Sequence, residues 1–248
     1  MDYDVKTNDL VMLLRHNDQY GLAPGRLGRV LEVISADEVE VEFTDTSAHT
    51  IAKLPLKLTE VSVLRLEATI DENRFWQIVG DAKINSGGDP ERQVRMLIDQ
   101  LADMSLADIY AFGEIFHQLS CIAYRQDLWA AAYIMNSGCG DDSFTDFRAW
   151  LIAQGKKIFY DALNDPETLV DIVQIVPDEY IPSCNAFLEE MNYVPAYAYE
   201  KKRGEEEPLF PGRYNRCELV GEAWDEDKVY DKYPKLSAKF NPTYQNTD

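Results

Sequence analysis

The sequence predicts an α+β protein: a small SH3-like β-barrel at the N-terminus followed by a mainly α-helical domain. Three observations carry that expectation. Up to residue 64 the apolar residues come in short runs, and Val39 to Phe43 alternates with acids at period two. From Asp71 onward the period changes to three and four, the spacing of one helix face. The charge changes there too: residues 1–66 hold eleven acids and seven bases, the remainder 33 acids and 17 bases. The expected division is 1–68 and 69–248, the second part ending in a packed, irregular, acidic tail. Residues 70–248 alone are therefore expected to melt cooperatively.

The strands are read in order as Asp9 to Leu14, Leu27 to Ile34, Val39 to Phe43, Ile51 to Leu54 and Val61 to Leu64. Five short strands at regular spacing, with turns between them, fit a small closed barrel. The G-x-x-G-x-V segment from Gly25 to Val30 resembles SH3-like barrels. There the first glycine turns the chain and the second lets a neighbouring strand come close.

The helices announce themselves by stripes and caps. Phe75, Ile78, Val79 and Ala82 share one face, and Gly87-Gly88 ends that helix. Asp89-Pro90 restarts one, with Asp as N-cap and Pro at the first helical position. Its stripe is Val94, Leu97, Ile98 and Leu101. Ser105 with Asp108 resembles a capping box before Ile109, Phe112, Phe116 and Leu119. Leu128 to Met135 is a compact apolar helix stopped at Gly138. Ser143 with Asp146 reads as a second capping box, opening a helix from Phe144 to Gln154. Trp129 and Trp150 are expected in its core. Asp165-Pro166 caps a short helix, and 184–200 is helical in composition with a kink or split expected at Pro195. In the tail, Trp224, Tyr230, Tyr233 and Phe240 argue for packing onto the body.

A net charge of −20 repels phosphate backbones, so nucleic acid is not an expected partner and a basic protein is. No apolar run reaches the length of a membrane span, and the first ten residues lack a signal pattern. The expected compartment is the cytoplasm, with the four cysteines reduced; Cys121 and Cys184 are read as core.

The runs NRFW (residues 73–76), GGDPE (87–91) and above all LWAAAYIMNSGCGDDSFTDFRAWLIAQG (128–155) resemble the family called domain of unknown function 4240. The tail stretch GEAWDED (221–227) fits the same pattern, giving coverage of about 70–240. Residues 10–43 resemble a second small family, domain of unknown function 4926. Proteins resembling these tend to be bacterial and cytoplasmic. Similar small domains occur among toxin-immunity and antitoxin proteins. The resemblance carries no activity, substrate or cofactor.

The densest polar cluster is Asn136, Cys139, Asp141, Asp142, Asp146 and Arg148, and it is the candidate binding surface. A Gly-flanked loop between helices can present carboxylates and a thiol into a cleft, and adjacent acids can hold a hard cation through oxygen. An arginine grips a carboxylate or phosphate with two parallel bonds. The structural alternative has Gly138 ending one helix, Asp142 or Ser143 capping the next, and Arg148 tying the loop down. His16, His49 and His117 form no H-x-x-x-H or H-E-x-x-H pattern, so neither a metal nor a cofactor is expected. Cys139 as a nucleophile would need His117, the one histidine of the helical part. The nucleophile elbow and the phosphate-binding loop are both missing. The first reading is thus an acidic protein-binding neutraliser or adaptor, immunity- or antitoxin-like. The alternative is an enzyme of unlisted type using the acids and arginine of residues 138–148.

Overall fold

The computed structural model describes residues 5–44, 49–63, 69–173, 184–204 and 217–241. The N-terminal part is an antiparallel five-stranded sheet: β1 (Leu10–Leu13), β2 (Leu27–Val33), β3 (Glu38–Thr44), β4 (Thr50–Lys57) and β5 (Val61–Val63). The strand order is β4-β3-β2-β1-β5. Among the described residues, strands β4 and β5 stand at the two ends of that order, and these five strands make up the N-terminal module that the sequence predicts. The edge position explains Pro55 inside β4: a missing N–H is tolerated on a strand that pairs on one side only among the described residues. Val11, Leu13, Val30, Val39, Val41, Phe43, Leu54 and Leu56 form a single buried core within this sheet.

Both glycines of the G-x-x-G-x-V segment act as read. Gly25 has φ +89°, a conformation that costs a side-chain-bearing residue energy. A Cβ on Gly28 would stand 2.5 Å from Val41 Cγ1 and 2.7 Å from Phe43 Cε1. The Val41 and Phe43 side chains of β3 close over Gly28 because nothing projects there.

Nine α-helices follow among the described residues: α1 (Glu72–Ser86), α2 (Pro90–Ala102), α3 (Leu106–Ile122), α4 (Gln126–Asn136), α5 (Asp141–Ala153), α6 (Lys156–Asn164), α7 (Val194–Arg203), α8 (Val229–Lys232) and α9 (Pro234–Phe240). Two 3-10 turns, Pro166–Asp171 and Glu189–Tyr193, complete the set. Three predicted caps are present. The Arg92 N–H donates to Asp89 Oδ1 at 3.0 Å. The Asp108 N–H donates to Ser105 Oγ at 3.1 Å while that hydroxyl donates back to Asp108 Oδ2 at 2.6 Å. Asp165 likewise accepts from the Glu167 N–H at 3.0 Å.

Other expectations are corrected. The helix after Gly138 starts at Asp141 with Gly140 as its N-cap and no side-chain cap, so Ser143 and Asp146 form no capping box. Residues 184–188 are not helical, and the helix there begins only at Val194. The segment splits beside Pro195, the 3-10 turn ending at Tyr193, and Pro195 sits in the first turn of α7, where its missing N–H is one of the orphan donors anyway. Trp129 and Trp150 are half-buried rather than enclosed.

Among the described residues the chain groups into two compact units. One takes residues from 1–71, 98–114 and 195–214, the other from 72–97, 115–194 and 215–248. The expected junction at 68/69 falls next to residues 64–68, which lie outside the described set. In the first unit, the Thr69 N–H and hydroxyl both donate to Asp108 Oδ1 at 2.8 Å. Arg29 lies 3.7 Å from Glu114 and over the Tyr110 ring. In the second unit α8 and α9 pack on α4. Tyr133 meets Trp224 at 5.1 Å and Tyr230 at 6.5 Å between ring centroids, and Tyr233, Leu236 and Phe240 are buried. No helix among the described residues is long and apolar enough to cross a membrane.

Candidate functional site

The loop after α4 is shaped by its ends. Ser137 caps α4 in a left-handed conformation, φ 57°, and its N–H bonds the Tyr133 carbonyl. Two residues on, the Cys139 carbonyl accepts from Trp129 Nε1 at 2.8 Å. Trp129 is itself stacked on Phe144 of α5 at 4.8 Å. The indole thus ties the loop to both helices it joins. Asp141 and Asp142 then open α5 as its first two residues, both exposed. There their charges favour the positive end of the helix dipole.

Five of the six predicted residues fall into two groups. Asn136 faces inward: its Nδ2 donates to the Ala132 carbonyl, and its Oδ1 accepts from the Ala186 N–H, both at 3.0 Å. It fastens residues 184–186 to the end of α4. Arg148 is buried and lies away from the acids. Its Nη1 donates to the Ser120 carbonyl at 2.9 Å and its Nη2 to Thr145 Oγ1 at 3.0 Å. The guanidinium lies over the Tyr124 ring at 4.7 Å. Ser120 belongs to the last turn of α3, where carbonyls lack intrahelical partners, so Arg148 caps α3. An acid–arginine cluster across residues 138–148 is therefore not assembled.

Cys139, Asp142 and Asp146 do come together, and they acquire neighbours the sequence did not predict. The 3-10 turn 189–193 packs on α5: the Leu188 N–H donates to the Asp146 carbonyl at 3.2 Å, and Asn192 Nδ2 to Asp146 Oδ1 at 3.2 Å. This brings Glu189 and Glu190 to Asp146. Burial, then Glu189, Asp142 and Glu190, push the Asp146 carboxyl above the usual range, against the Asn192 bond. Burial and the Asp146 charge push the Cys139 thiol up to about 12, so it stays protonated and is a poor nucleophile at neutral pH. The glutamates were missed because Glu189 and Glu190 were read as part of one long helix, whose faces would not have turned them toward α5.

His117 stands beside a different cysteine. Its Nε2 lies 3.5 Å from Cys121 Sγ, one turn along α3. Cys121 forms a disulfide with Cys217, which corrects both the expectation of four reduced thiols and the reading of Cys121 as core. Cys139 and Cys184 are free. Burial raises the Cys184 thiol to about 11. The signal available in the sequence was H-x-x-x-C, residues 117–121, the i,i+4 spacing that aligns two side chains on one helix face.

The family described as protein of unknown function (DUF4240) matches residues 70–201, more than half of the chain. The chain belongs to that family. The match covers the NRFW, GGDPE and 128–155 runs, and it stops at residue 201, before the tail. A second family, domain of unknown function (DUF4926), matches residues 7–63, the extent of the sheet. No curated protein and no solved structure matches the chain.

Proposed function

We propose that this DUF4240 protein is an acidic protein-binding module, a neutraliser or adaptor of the immunity or antitoxin type, that captures a basic partner on the face built by α5 and the turn 189–193. The observation that carries the reading is the convergence of Asp142, Glu189 and Glu190 on Asp146. Like charges gathered this way are mutually unfavourable, and a cationic partner relieves them while steering encounter. Tyr193, 45% exposed beside them, is the kind of aromatic side chain that anchors interfaces. The enzyme reading needed Arg148 beside the aspartates, and Arg148 is committed to α3. The cytoplasm is the compartment proposed with this function.

The test changes the four exposed carboxylates together: Asp141→Asn, Asp142→Asn, Glu189→Gln and Glu190→Gln. Their side chains hold no hydrogen bond among the described residues, so folding should survive, as circular dichroism will show. Wild-type protein should capture a basic protein from host extract at low salt. The purified pair should bind at least ~10-fold more weakly in the variant, with affinity falling as salt rises. Equal affinity in variant and wild type refutes the proposal.

A further inference from the structure

We propose that His117, Cys121 and Cys217 form a zinc(II) site when the Cys121–Cys217 disulfide is reduced. The reading is independent of the acidic face. One ligand atom from each residue lies within 4.8 Å of the other two, and all three side chains are half-buried. That placement is reachable by an ion from solvent yet partly shielded from water. His117 and Cys121 stand one turn apart on α3, and their Nε2 and Sγ are 3.5 Å apart. Zinc bonds of ~2.05 Å to nitrogen and ~2.3 Å to sulfur at a tetrahedral angle require an edge of ~3.6 Å. The observed separation already matches it.

The third ligand is held in place by more than its sulfur. The Val220 N–H donates to the Tyr124 carbonyl at 3.2 Å, and the Gln126 N–H donates to the Val220 carbonyl at 2.9 Å. This pair of bonds, a short parallel bridge between Arg125 and Val220, anchors the 217–220 segment to the α3–α4 turn. On the other side, Ser120 next to Cys121 is gripped by Arg148. Reducing the disulfide therefore leaves both sulfurs near His117. They need only separate to the ~3.8 Å edge of a zinc dithiolate, a side-chain rotation.

Two thiolates and an imidazole favour zinc over magnesium or calcium, which take oxygen. Three protein ligands leave the fourth position of the tetrahedron open to water or a small ligand. A thiol reductant brings the site into being: two electrons enter the disulfide, each sulfur takes a proton, and the reductant becomes a disulfide. Zinc then displaces the two thiol protons. Reoxidation by a disulfide returns the two electrons to the oxidant and releases the ion.

The test uses full-length protein reduced with a phosphine under nitrogen and titrated with cobalt(II), the spectroscopic stand-in for zinc. The reduced wild type should bind one equivalent, with thiolate-to-cobalt charge-transfer absorption and the visible bands of a tetrahedral ion, and zinc should bleach both. The unreduced protein should show neither. Cys217→Ser should abolish the charge-transfer band. His117→Gln should weaken binding at least ~10-fold. The latter keeps the disulfide in the oxidised form, so its fold can be checked even where Cys217→Ser fails to fold. The proposal is overturned by no charge-transfer band in the reduced wild type, by undiminished binding in His117→Gln, or by a band that disappears with Cys139→Ser instead.

Discussion

Arg148 separates a structural account of residues 138–148 from a functional one, and its truncation is a direct measurement. Arg148→Ala removes a charged hydrogen bond to the buried end of α3, at the Ser120 carbonyl, which is worth ~1.5–3 kcal/mol. It also removes the guanidinium from the Tyr124 ring, at ~0.5–2 kcal/mol. Against these losses stands the cost of burying the guanidinium, which lowers its pKa in the folded protein and which truncation returns. The net expectation is a destabilisation of ~2–4 kcal/mol, because the orphaned carbonyl stays buried whatever replaces the side chain. For a chain of this size that lowers the melting temperature by ~4–16 °C. Arg148→Met, which keeps the apolar stem and buries no charge, should lose roughly half as much. Urea unfolding followed by tryptophan fluorescence reads both, since Trp129 shares the aromatic cluster with Tyr124 and Phe144. A loss below about 0.5 kcal/mol in Arg148→Ala, coupled with loss of partner binding, would refute the capping role and return Arg148 to the binding surface.

Three further outcomes are expected. Gly28→Ala should destabilise the sheet by ~1–3 kcal/mol, because its Cβ meets Val41 and Phe43, two side chains enclosed in the core; unchanged urea unfolding would show that β3 can yield. Cys139 should be alkylated far more slowly in native protein than in urea at pH 8, its folded thiol titrating near about 12; equal rates, followed by mass spectrometry, would contradict the burial argument. Asp146 titrates higher in the folded chain than unfolded, so the native state holds that proton more tightly and stability falls as pH rises through the folded value. Asp146→Asn should therefore be neutral or stabilising at pH 7, by less than ~1 kcal/mol, with the advantage vanishing at a pH where the carboxyl is protonated in both states; destabilisation at pH 7 would mean the carboxylate is compensated.

What the sequence determined by itself is local. Period two and period three-and-four separated sheet from helices because those spacings are set by backbone geometry alone. The caps at Asp89, Ser105 and Asp165 were readable because a cap and the N–H groups it satisfies lie within three residues. Gly28 was readable because close strand approach leaves room for one residue type. The misreadings share the opposite cause. Gly140 replaced Ser143 as the cap of α5 because the tertiary tie from Trp129 to the Cys139 carbonyl sets where the loop ends. Arg148 left the acids because the nearest orphan carbonyl, on α3, lies 28 residues earlier in the chain. Glu189 and Glu190 joined Asp146 through a turn some 43 residues downstream, and Cys217 reached Cys121 across a separation of 96. Pairings at such distances are chosen by packing of the whole chain, which no local pattern encodes. Only the tertiary structure therefore decided that Glu189 and Glu190 meet Asp146 and that Cys217 joins His117 and Cys121.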